Sequence, residues 1–322
     1  MTKPTLLVLR GLGLGDFLAS VPALRALREA FPAHHTVLAA PCALEPLAKA
    51  SGAVDELVDV APLERLPERL HGADMGVNLH GKGPESHHVL LAARPRGFLA
   101  FRHPGVPESA ELPEWMADEH EVDRWCRLVR ETGIDANPAA LLLDAPAFRS
   151  SREAGDVTVI HPGAASGARR WPPERFAAIV RSERRAGRRV LVTGSADERD
   201  LGLRIAESAG LPEDAVLAGK TDLLDLMAVV SEAGRLVSGD TGVAHLATAL
   251  RTPSVTIFGP TSPALWGPRL AGHRHAALWA GEHGDPHASD PSAGLLAIQV
   301  EDVLQALEHV DMTHEAKGAF LG

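Results

Sequence analysis

Glycine-rich turns that end in a carboxylate occur twice, each where an apolar, strand-like run meets a helix-like run. Residues 11–16 have the sequence GLGLGD and place Asp16 at the predicted start of a helix, where it would act as a base or as an ordinary N-cap. Residues 238–243 have the sequence SGDTGV and place Asp240 and Thr241 in the same position. Glycine lets the backbone approach a ligand closely, and the first turn of a helix offers free N–H groups to an anion.

The second turn predicts a diphosphate site that needs no metal. The N–H groups of Thr241, Gly242 and Val243 would lack partners within the helix, and the Thr241 hydroxyl adds a further donor. Asp240 would be repelled by phosphate, so we expect it to face the hydroxyls of a neutral sugar or to cap the helix. His245 lies one turn further along, where it would reach the same end of the helix or fill the core.

A basic loop and a small-residue turn follow two other predicted strands. Residues 161–172 (HPGAASGARRWP) place Arg169 and Arg170 before a helix that begins with proline, which suits phosphate or forms a solvated basic turn. Residues 193–195 (TGS) would admit a flat nucleobase or a ribose beside Gly194, or simply turn the chain. Ligands of open α/β sheets bind at the carboxyl ends of strands, so these loops are candidate binding segments.

The first turn does not fit a dinucleotide-binding site. In a G-x-G-x-x-G pattern that begins at Gly11, the third glycine would be residue 16, which is Asp. An acidic residue about 20 residues on should hold a ribose, but residues 39–41 are AAP there. The sequence therefore disfavours a dehydrogenase, and the same missing acid disfavours a methyltransferase.

Length and composition indicate a globular protein of two domains. The chain has 322 residues, of which 45% are apolar and 23% charged. No run approaches the roughly 18 apolar residues of a membrane span, and the N-terminus lacks the features of a signal peptide. Two cysteines cannot build a disulfide framework, so we expect a cytoplasmic protein. The net charge of −10 and the 4% aromatic content argue against a nucleic-acid partner.

A histidine-rich tract near the C-terminus suggests a zinc hypothesis. The tract contains His273, His275, His283, Asp285 and His287. Their spacing matches no standard zinc site, and histidines in an irregular loop usually face solvent. We therefore expect no metal there.

Strand-like runs alternate with helix-like runs in both halves, which predicts two doubly wound, parallel α/β domains. The expected strands are residues 5–10, 36–40, 56–60, 74–79 and 97–101, then 157–161, 189–193, 215–217, 236–238 and 254–258. The expected helices are residues 16–30, 43–50, 85–93 and 119–132, then 173–185, 197–209, 222–233, 241–250 and 300–310, with residues 267–294 as a loop. The predicted domains are residues 1–150 and 151–300, joined by a connection at 133–156. We expect the C-terminal segment 301–322 to pack back on the N-terminal domain.

These segments together resemble glycosyltransferase family 9, the heptosyltransferase family, which has the GT-B fold. In chain order the matching segments are GD (15–16), VPALRAL (21–27), HEVDR (120–124), HPGA (161–164), RWP (170–172), AGKT (218–221), GDTGVAH (239–245), FGPT (258–261) and WGP (266–268). The resemblance covers nearly the whole chain. It implies two Rossmann-like domains that face a central cleft, with the donor on the C-terminal domain and the acceptor on the N-terminal one.

The resemblance implies an inverting transfer of a heptose or similar sugar, without a metal, from a nucleotide sugar that is commonly ADP-L-glycero-D-manno-heptose. Asp16 matches the base that the family is proposed to use. The phosphate-binding cation of the family, often lysine, corresponds to Arg169, whose planar fork holds phosphate differently from a compact ammonium. The implied diphosphate-binding residues are Arg169, Thr241, Gly242 and Val243. The sugar of the donor would contact Asp240 and His245. The nucleoside would contact Gly194, Gly219, Lys220 and Thr221.

The acceptor side is implied less closely. Its candidate residues are Gly13, Gly15, His80 and Gly81. Residues 80–86 match little else in the family, and residues 281–287 lack the cysteine cluster that many members carry there. Lipopolysaccharide core is the usual acceptor of the family. An arginine-rich chain without tyrosine is typical of a GC-rich genome, however, so a cell-wall glycan or a small-molecule glycoside is an alternative.

A second alternative is a sugar-nucleotide-binding GT-B relative without transferase activity. The intact Gly15-Asp16 pair favours an enzyme over such a binding protein. We expect at most peripheral membrane contact, because no basic amphipathic helix is evident in the sequence.

Overall fold

The computed structural model describes residues 3–144, 157–269 and 274–318, with the backbone alone for residues 311–318. The chain divides into two compact units, Met1–Leu143 (unit 1) and Asp144–Gly322 (unit 2). Residues 145–156 of the predicted connection, and His273 of the histidine-rich tract, lie outside the described residues.

Unit 1 is built on a five-stranded parallel sheet. Its strands are β1 (Thr5–Leu9), β2 (His35–Ala40), β3 (Glu56–Asp59), β4 (Met75–Asn78) and β5 (Gly97–Leu99). Its helices are α1 (Leu14–Ala30), α2 (Glu45–Ser51), α3 (Glu85–Ala92) and α4 (Glu121–Arg130). The strand order is β3-β2-β1-β4-β5. The order reverses at β1, so the loops that follow β1 and β4 leave from a topological switch point.

The central strand of unit 1 is apolar along its length because both of its faces are buried. Leu6, Leu7 and Val8 of β1 have no exposed surface, as expected for a parallel sheet covered on both sides. Helix α1 packs against α4. The amphipathic sequence of α4 buries Trp125 and Cys126 on one side. This packing brings Glu121, the first residue of α4, close to Arg10 just before α1, although the two residues are far apart in the sequence.

Unit 2 has a second five-stranded parallel sheet. Its strands are β6 (Val157–His161), β7 (Arg189–Val192), β8 (Arg235–Gly239), β9 (Ser254–Ile257) and β10 (His275–Leu278). Its helices are α5 (Pro173–Arg185), α6 (Arg199–Ala209), α7 (Leu223–Glu232), α8 (Gly242–Ala249), α9 (Pro263–Trp266), α10 (Ala293–Ala297) and α11 (Val300–Gly318). The strand order is β10-β9-β8-β6-β7. The switch point of this sheet lies between β6 and β8.

Two predicted features of unit 2 are wrong. Residues 267–294 are not all loop, because they contain the edge strand β10, parallel to β9, and the start of the short helix α10. Four partly exposed residues with one neighbouring strand form β10, so no apolar run marks it in the sequence. The predicted strand at 215–217 is a single bridge between Val216 and Val192, next to a turn of 3-10 helix.

The last helix packs within unit 2 over its described side chains. Val303, Leu307 and Val310 of α11 belong to the core that also contains Phe176 of α5. The predicted packing of segment 301–322 on the N-terminal domain stays a prediction. None of the described helices has the length and apolar character that a membrane crossing requires.

Candidate active site

The candidate residues of unit 1 lie at its switch point. Strand β1 leads into residues 10–16, strand β4 leads into residues 79–81, and the two strands are paired, with Leu9 opposite Asn78. The backbone N–H of Gly11 donates to Nδ1 of His80, 3.1 Å away. Two loops that the sequence singled out separately are therefore in direct contact.

Asp16 lies in the first turn of α1 and is not its N-cap. The helix begins at Leu14, Gly15 is its second residue, and the N-cap is Gly13. The alternative interpretation of Asp16 as an N-cap residue is therefore wrong. The carboxylate folds back toward Gly13, since a Cβ atom built there would lie 3.6 Å from Oδ2 of Asp16.

The surroundings of Asp16 favour its protonated form. Burial is the main cause that raises the pKa of its carboxyl above the ordinary value; the Arg10 guanidinium lowers it, the Glu121 carboxylate raises it, and backbone N–H groups lower it. The side chain of Asp16 keeps 32% of its surface exposed. A carboxylate with a raised pKa that a substrate can still reach is suited to accept a proton.

Arg10 is a functional candidate that the sequence analysis missed. Its side chain is fully buried at the end of β1, and its Nε and Nη2 donate to the backbone carbonyl of Asp16 at 3.0 and 2.6 Å. Its Nη1 donates to the carbonyl of Leu79, and its Nη2 also donates to Oε1 of Glu121 at 3.3 Å. The only sequence signal is an arginine that ends an apolar strand.

His80 is a neutral side chain beside the Asp16 loop. Burial, together with the nearby Arg10 charge, lowers the pKa of His80 to about 4. Its Nδ1 accepts a hydrogen bond from Gly11, so the proton of the neutral ring lies on Nε2. A side chain at the neighbouring Gly81 would meet open space. His80 is therefore a neutral hydrogen-bond donor next to an open loop position.

The candidate residues of unit 2 also meet at a switch point. Strand β8 ends at Gly239, and Asp240 and Thr241 connect it to α8. The loop after β6 carries Arg169, whose Nη1 donates to the backbone carbonyl of Asp240 at 3.2 Å. The Arg169 guanidinium therefore lies beside the N-terminus of α8.

Close backbone packing holds the Arg169 loop in place. A Cβ atom at Gly239 would lie 3.0 Å from the carbonyl oxygen of Arg169, and one at Gly167 would lie 1.6 Å from the carbonyl oxygen of Ser289. The N–H of Ala168 donates to the carbonyl of Ala288 at 2.9 Å. The segment after the histidine-rich tract thus supports the loop, and only glycine fits at residue 167.

Thr241 has an unused hydroxyl at the N-terminus of α8. It is the N-cap residue, yet its side chain makes no capping hydrogen bond, and its buried Oγ1 has no hydrogen-bond partner among the described residues. Gly242 and Val243 lie in the first turn, where the helix supplies no acceptor for their N–H groups. A cluster of donors at a helix N-terminus next to a cation is an anion site.

Asp240 is a buried carboxyl beside this anion site. Only 7% of the residue is exposed. Burial raises the pKa of its carboxyl to about 6, against the opposing effect of Arg169. Because Thr241 is the N-cap, Asp240 does not cap α8.

His245 lies one turn into α8 and is half-buried. Its ring centroid is 5.6 Å from that of Trp266. A buried carboxyl and a half-buried imidazole therefore lie at the same end of α8.

The predicted nucleoside residues lie together at the end of β7. The N–H of Gly219 donates to the carbonyl of Gly194 at 3.0 Å, and Gly219 has a φ of +73°, which favours glycine. Lys220 is exposed and Thr221 half-buried beside them.

Glu198 is a second residue that the sequence analysis missed. A Cβ atom at Gly163 would lie 2.0 Å from its Oε1. The absent side chain at Gly163 makes room for this carboxylate.

The histidine-rich tract does not converge on a metal site in the part of the chain that can be described. There, no group of three or more His, Cys, Asp or Glu side chains could hold a metal ion. Nδ1 of His275 lies 2.9 Å from Oγ of Ser254, and the ring of His283 packs on the edge of Trp279. These residues have structural contacts instead.

The family model for glycosyltransferase family 9 (heptosyltransferase) matches residues 109–292, which is more than half of the 322 residues. The chain belongs to glycosyltransferase family 9. The matched range includes the unit 2 residues described above, from Arg169 to His245, whereas Asp16 and His80 precede it.

Individual relatives agree with this assignment. Lipopolysaccharide heptosyltransferase 2 of Escherichia coli strain K12 is 31% identical over 163 residues, which is 48% of this chain and 47% of that protein. The chain spans about half the length of the curated relatives it matches.

Solved structures of the family show the same fold. The family 9 glycosyl transferase of Veillonella parvula DSM 2008 superposes with a TM-score of 0.81 at 20% identity, over 97% of this chain and 98% of that one. The E. coli ADP-heptose lps heptosyltransferase II gives a TM-score of 0.78 at 22% identity, over 97% and 99%. The predicted family 9 resemblance and the predicted GT-B fold are both confirmed.

Proposed function

We propose that this family 9 chain is a glycosyltransferase that moves a heptose, or a similar sugar, from an ADP-linked donor to an acceptor hydroxyl. Membership of the family supports the class of reaction. The superposed E. coli protein is an ADP-heptose lps heptosyltransferase, which supports the choice of donor.

The observation that carries the donor site is the buried Oγ1 of Thr241 at the N-terminus of α8, which has no hydrogen-bond partner within the described ranges. A buried hydroxyl without a partner costs stability, about 1–3 kcal/mol for a group of this kind, so its retention suggests a ligand that satisfies it. A diphosphate offers several acceptor oxygens. Thr241, Gly242, Val243 and the Arg169 cation together would bind both of its phosphates.

The remaining residues of unit 2 suit the other parts of the donor. Asp240 and His245 would bind hydroxyls of the sugar, because both are polar side chains held next to the diphosphate site. Gly194 and the backbone of Gly219, Lys220 and Thr221 would form the wall of the nucleoside site.

In the proposed reaction Asp16 is the general base. The acceptor hydroxyl gives its proton to the Asp16 carboxylate while its oxygen bonds to the anomeric carbon of the donor. The bond from that carbon to the diphosphate oxygen breaks on the opposite face, so ADP leaves and the configuration inverts. The negative charge that develops on ADP would be stabilised by Arg169 and the α8 N–H groups. Since these groups supply positive charge, we propose that the transfer needs no metal.

The acceptor is proposed from the relatives. The curated relatives are named for lipopolysaccharide, so the first candidate is a lipopolysaccharide core. Gly13, Gly15, His80 and Gly81 would contact this acceptor, because they surround Asp16 or the loop beside it. A cell-wall glycan or a small-molecule glycoside remains the alternative acceptor class.

Nucleotide binding tests the proposal without knowledge of the acceptor. Calorimetry with ADP, UDP, GDP and NAD should show the tightest binding for ADP, unchanged by a chelator. Tight binding of NAD without binding of ADP would contradict the proposed donor. If ADP binds but ADP-heptose releases no ADP with any of the three acceptor classes, the chain is a sugar-nucleotide-binding protein instead.

A further inference from the structure

Arg10 links Asp16 to three other parts of unit 1. Its fully buried guanidinium donates twice to the backbone carbonyl of Asp16 in α1, and once to the carbonyl of Leu79 after β4. It also donates to Glu121 at the start of α4, and its Cζ lies 4.6 Å from the ring centroid of Trp125. A planar fork that makes this many contacts has little freedom to move. The backbone of Asp16 is thereby fixed relative to β1, β4 and α4.

One atom of Arg10 faces both carboxylates of the site. Its Nη2 lies 3.6 Å from Oδ1 of Asp16 and 3.3 Å from Oε1 of Glu121. Glu121 is 5% exposed. Trp125 Nε1 donates to the same Oε1 at 2.8 Å, and Arg124 donates to Oε2. The position of Glu121 is therefore set by α4 itself and does not depend on Asp16.

The charges next to a carboxylate decide how readily it accepts a proton. An arginine within 4 Å of a carboxylate stabilises its ionised form and so weakens it as a proton acceptor. A second, buried carboxylate on the same guanidinium opposes that effect. We propose that Arg10 and Glu121 are positioning residues for Asp16: Arg10 fixes the backbone of the base, and Glu121 offsets the Arg10 charge so that Asp16 keeps its affinity for a proton. This inference rests on the proposed function only in naming Asp16 as the base.

Several neighbouring elements place charged or polar groups around the Asp16 carboxylate. Arg10 faces it from β1 and Glu121 from α4. Backbone N–H groups face it from its own turn. His80, in the loop after β4, contacts the backbone of Gly11 in the loop that leads to α1. Arg124 keeps three backbone carbonyl acceptors of its own, at residues 116, 117 and 119. Removal of the Glu121 charge therefore does not leave Arg124 without partners.

The direct test needs no substrate. The titration midpoint of the Asp16 carboxyl carbon is followed by NMR in 13C-labelled protein, with the signal assigned by its loss in Asp16→Asn. We expect Arg10→Gln to raise the midpoint by about 1–3 pH units and Glu121→Gln to lower it by about half a unit or more. The double variant removes both charges of the pair together, so its midpoint should return toward the wild-type value.

Matched charge changes on the same two helices serve as controls. Arg28→Gln on α1 removes a cation that pairs with Asp55. Glu131→Gln removes an anion at the C-cap of α4, about 15 Å along the helix axis from Glu121. Both should leave the midpoint unchanged. If the two test variants are folded and their midpoints stay at the wild-type value, or move in the same direction, the inference is wrong.

The conservative variant Arg10→Lys tests the positioning step and keeps the buried charge, which protects the fold. It should lower kcat of sugar transfer about tenfold or more with little change in KM, because the base is displaced while the binding residues are intact. An unchanged kcat in folded Arg10→Lys would overturn the positioning role. A wild-type chain without transfer activity would instead contradict the proposed function and leave the NMR result to decide on the pair.

Discussion

Nη1 of Arg169 donates a hydrogen bond to the backbone carbonyl of Asp240, 3.2 Å away, and so joins the two loops that flank the switch point of unit 2. The same cation opposes the effect of burial on the Asp240 carboxyl. The residue proposed to bind phosphate therefore also fixes the loop that leads to Thr241. A change at Arg169 should act on the geometry of the donor site as well as on its charge.

Arg169→Ala should weaken ADP binding about 10- to 100-fold, as expected when charge-assisted hydrogen bonds worth about 1.5–3 kcal/mol are lost. Arg169→Lys should fall between this variant and the wild type, because it keeps the charge without the fork. The control is Arg184→Ala, which makes the same charge change in an arginine bonded to the carbonyls of Ala209 and Gly210. Equal losses in the Arg169 and Arg184 variants would mean that only net charge matters.

Thr241→Val should change stability and binding in opposite directions. The variant removes a buried hydroxyl that has no partner in the described part of the chain. The protein without ligand should therefore be stabilised by about 1 kcal/mol, while ADP binding weakens about 2- to 10-fold. Thr248→Val is the control, since the Thr248 hydroxyl in the same helix donates to the carbonyl of Ala244. That control should be destabilised without losing ADP. A Thr241→Val protein that binds ADP as tightly as the wild type would remove Thr241 from the site.

Asp240→Asn should be more stable than the wild type above pH 6. Burial raises the folded-state pKa of Asp240 to about 6, so the folded protein holds this proton more tightly than the unfolded chain does. The stability that the protonated carboxyl gives below about pH 4 is lost as the pH rises through about 6. Urea unfolding at pH 4.5 and 7.5 should show an advantage of the variant that grows to about 2–3 kcal/mol at the higher pH. An advantage that is the same at both pH values would contradict the raised pKa.

Gly167→Ala should weaken ADP binding through the position of the Arg169 loop. A Cβ atom at residue 167 would lie 1.6 Å from the Ser289 carbonyl oxygen, which is backbone and cannot swing aside. The loop must therefore move away from Ser289, which shifts Arg169 from its place beside α8. We expect at least about tenfold weaker ADP binding, measured by calorimetry, with a fold that circular dichroism shows to be retained. Wild-type affinity would show that the loop position is unimportant.

Most of the fold follows from local sequence patterns. Alternating apolar and amphipathic runs predict nine of the strands within a residue or two, and the glycine-rich turns fall at the ends of β1 and β8 as expected. Strand β10 has no such pattern because its edge position leaves it half exposed. The residues 215–217 have a strand-like composition but find only one bridge to β7.

The pair of Arg10 and Glu121 could not be predicted in the same way. The two residues are 111 positions apart, and neither the end of an apolar strand at Arg10 nor the HEVDR segment that contains Glu121 indicates that the two side chains meet. Their contact depends on the packing of α4 against α1 and on the order of the strands. For Glu198 the sequence does offer a signal, because Ser195 and Glu198 form a capping box, but its approach to Gly163 is visible only in the structure.

The most direct test of Asp16 as the base compares ADP release from ADP-heptose by the wild type and by Asp16→Asn, with lipopolysaccharide lacking its heptoses as the acceptor. ADP affinity is measured alongside to confirm that the donor site is intact. Loss of a general base should lower kcat about 100-fold or more while ADP affinity stays the same. Transfer by Asp16→Asn at the wild-type rate would show that Asp16 is not the base.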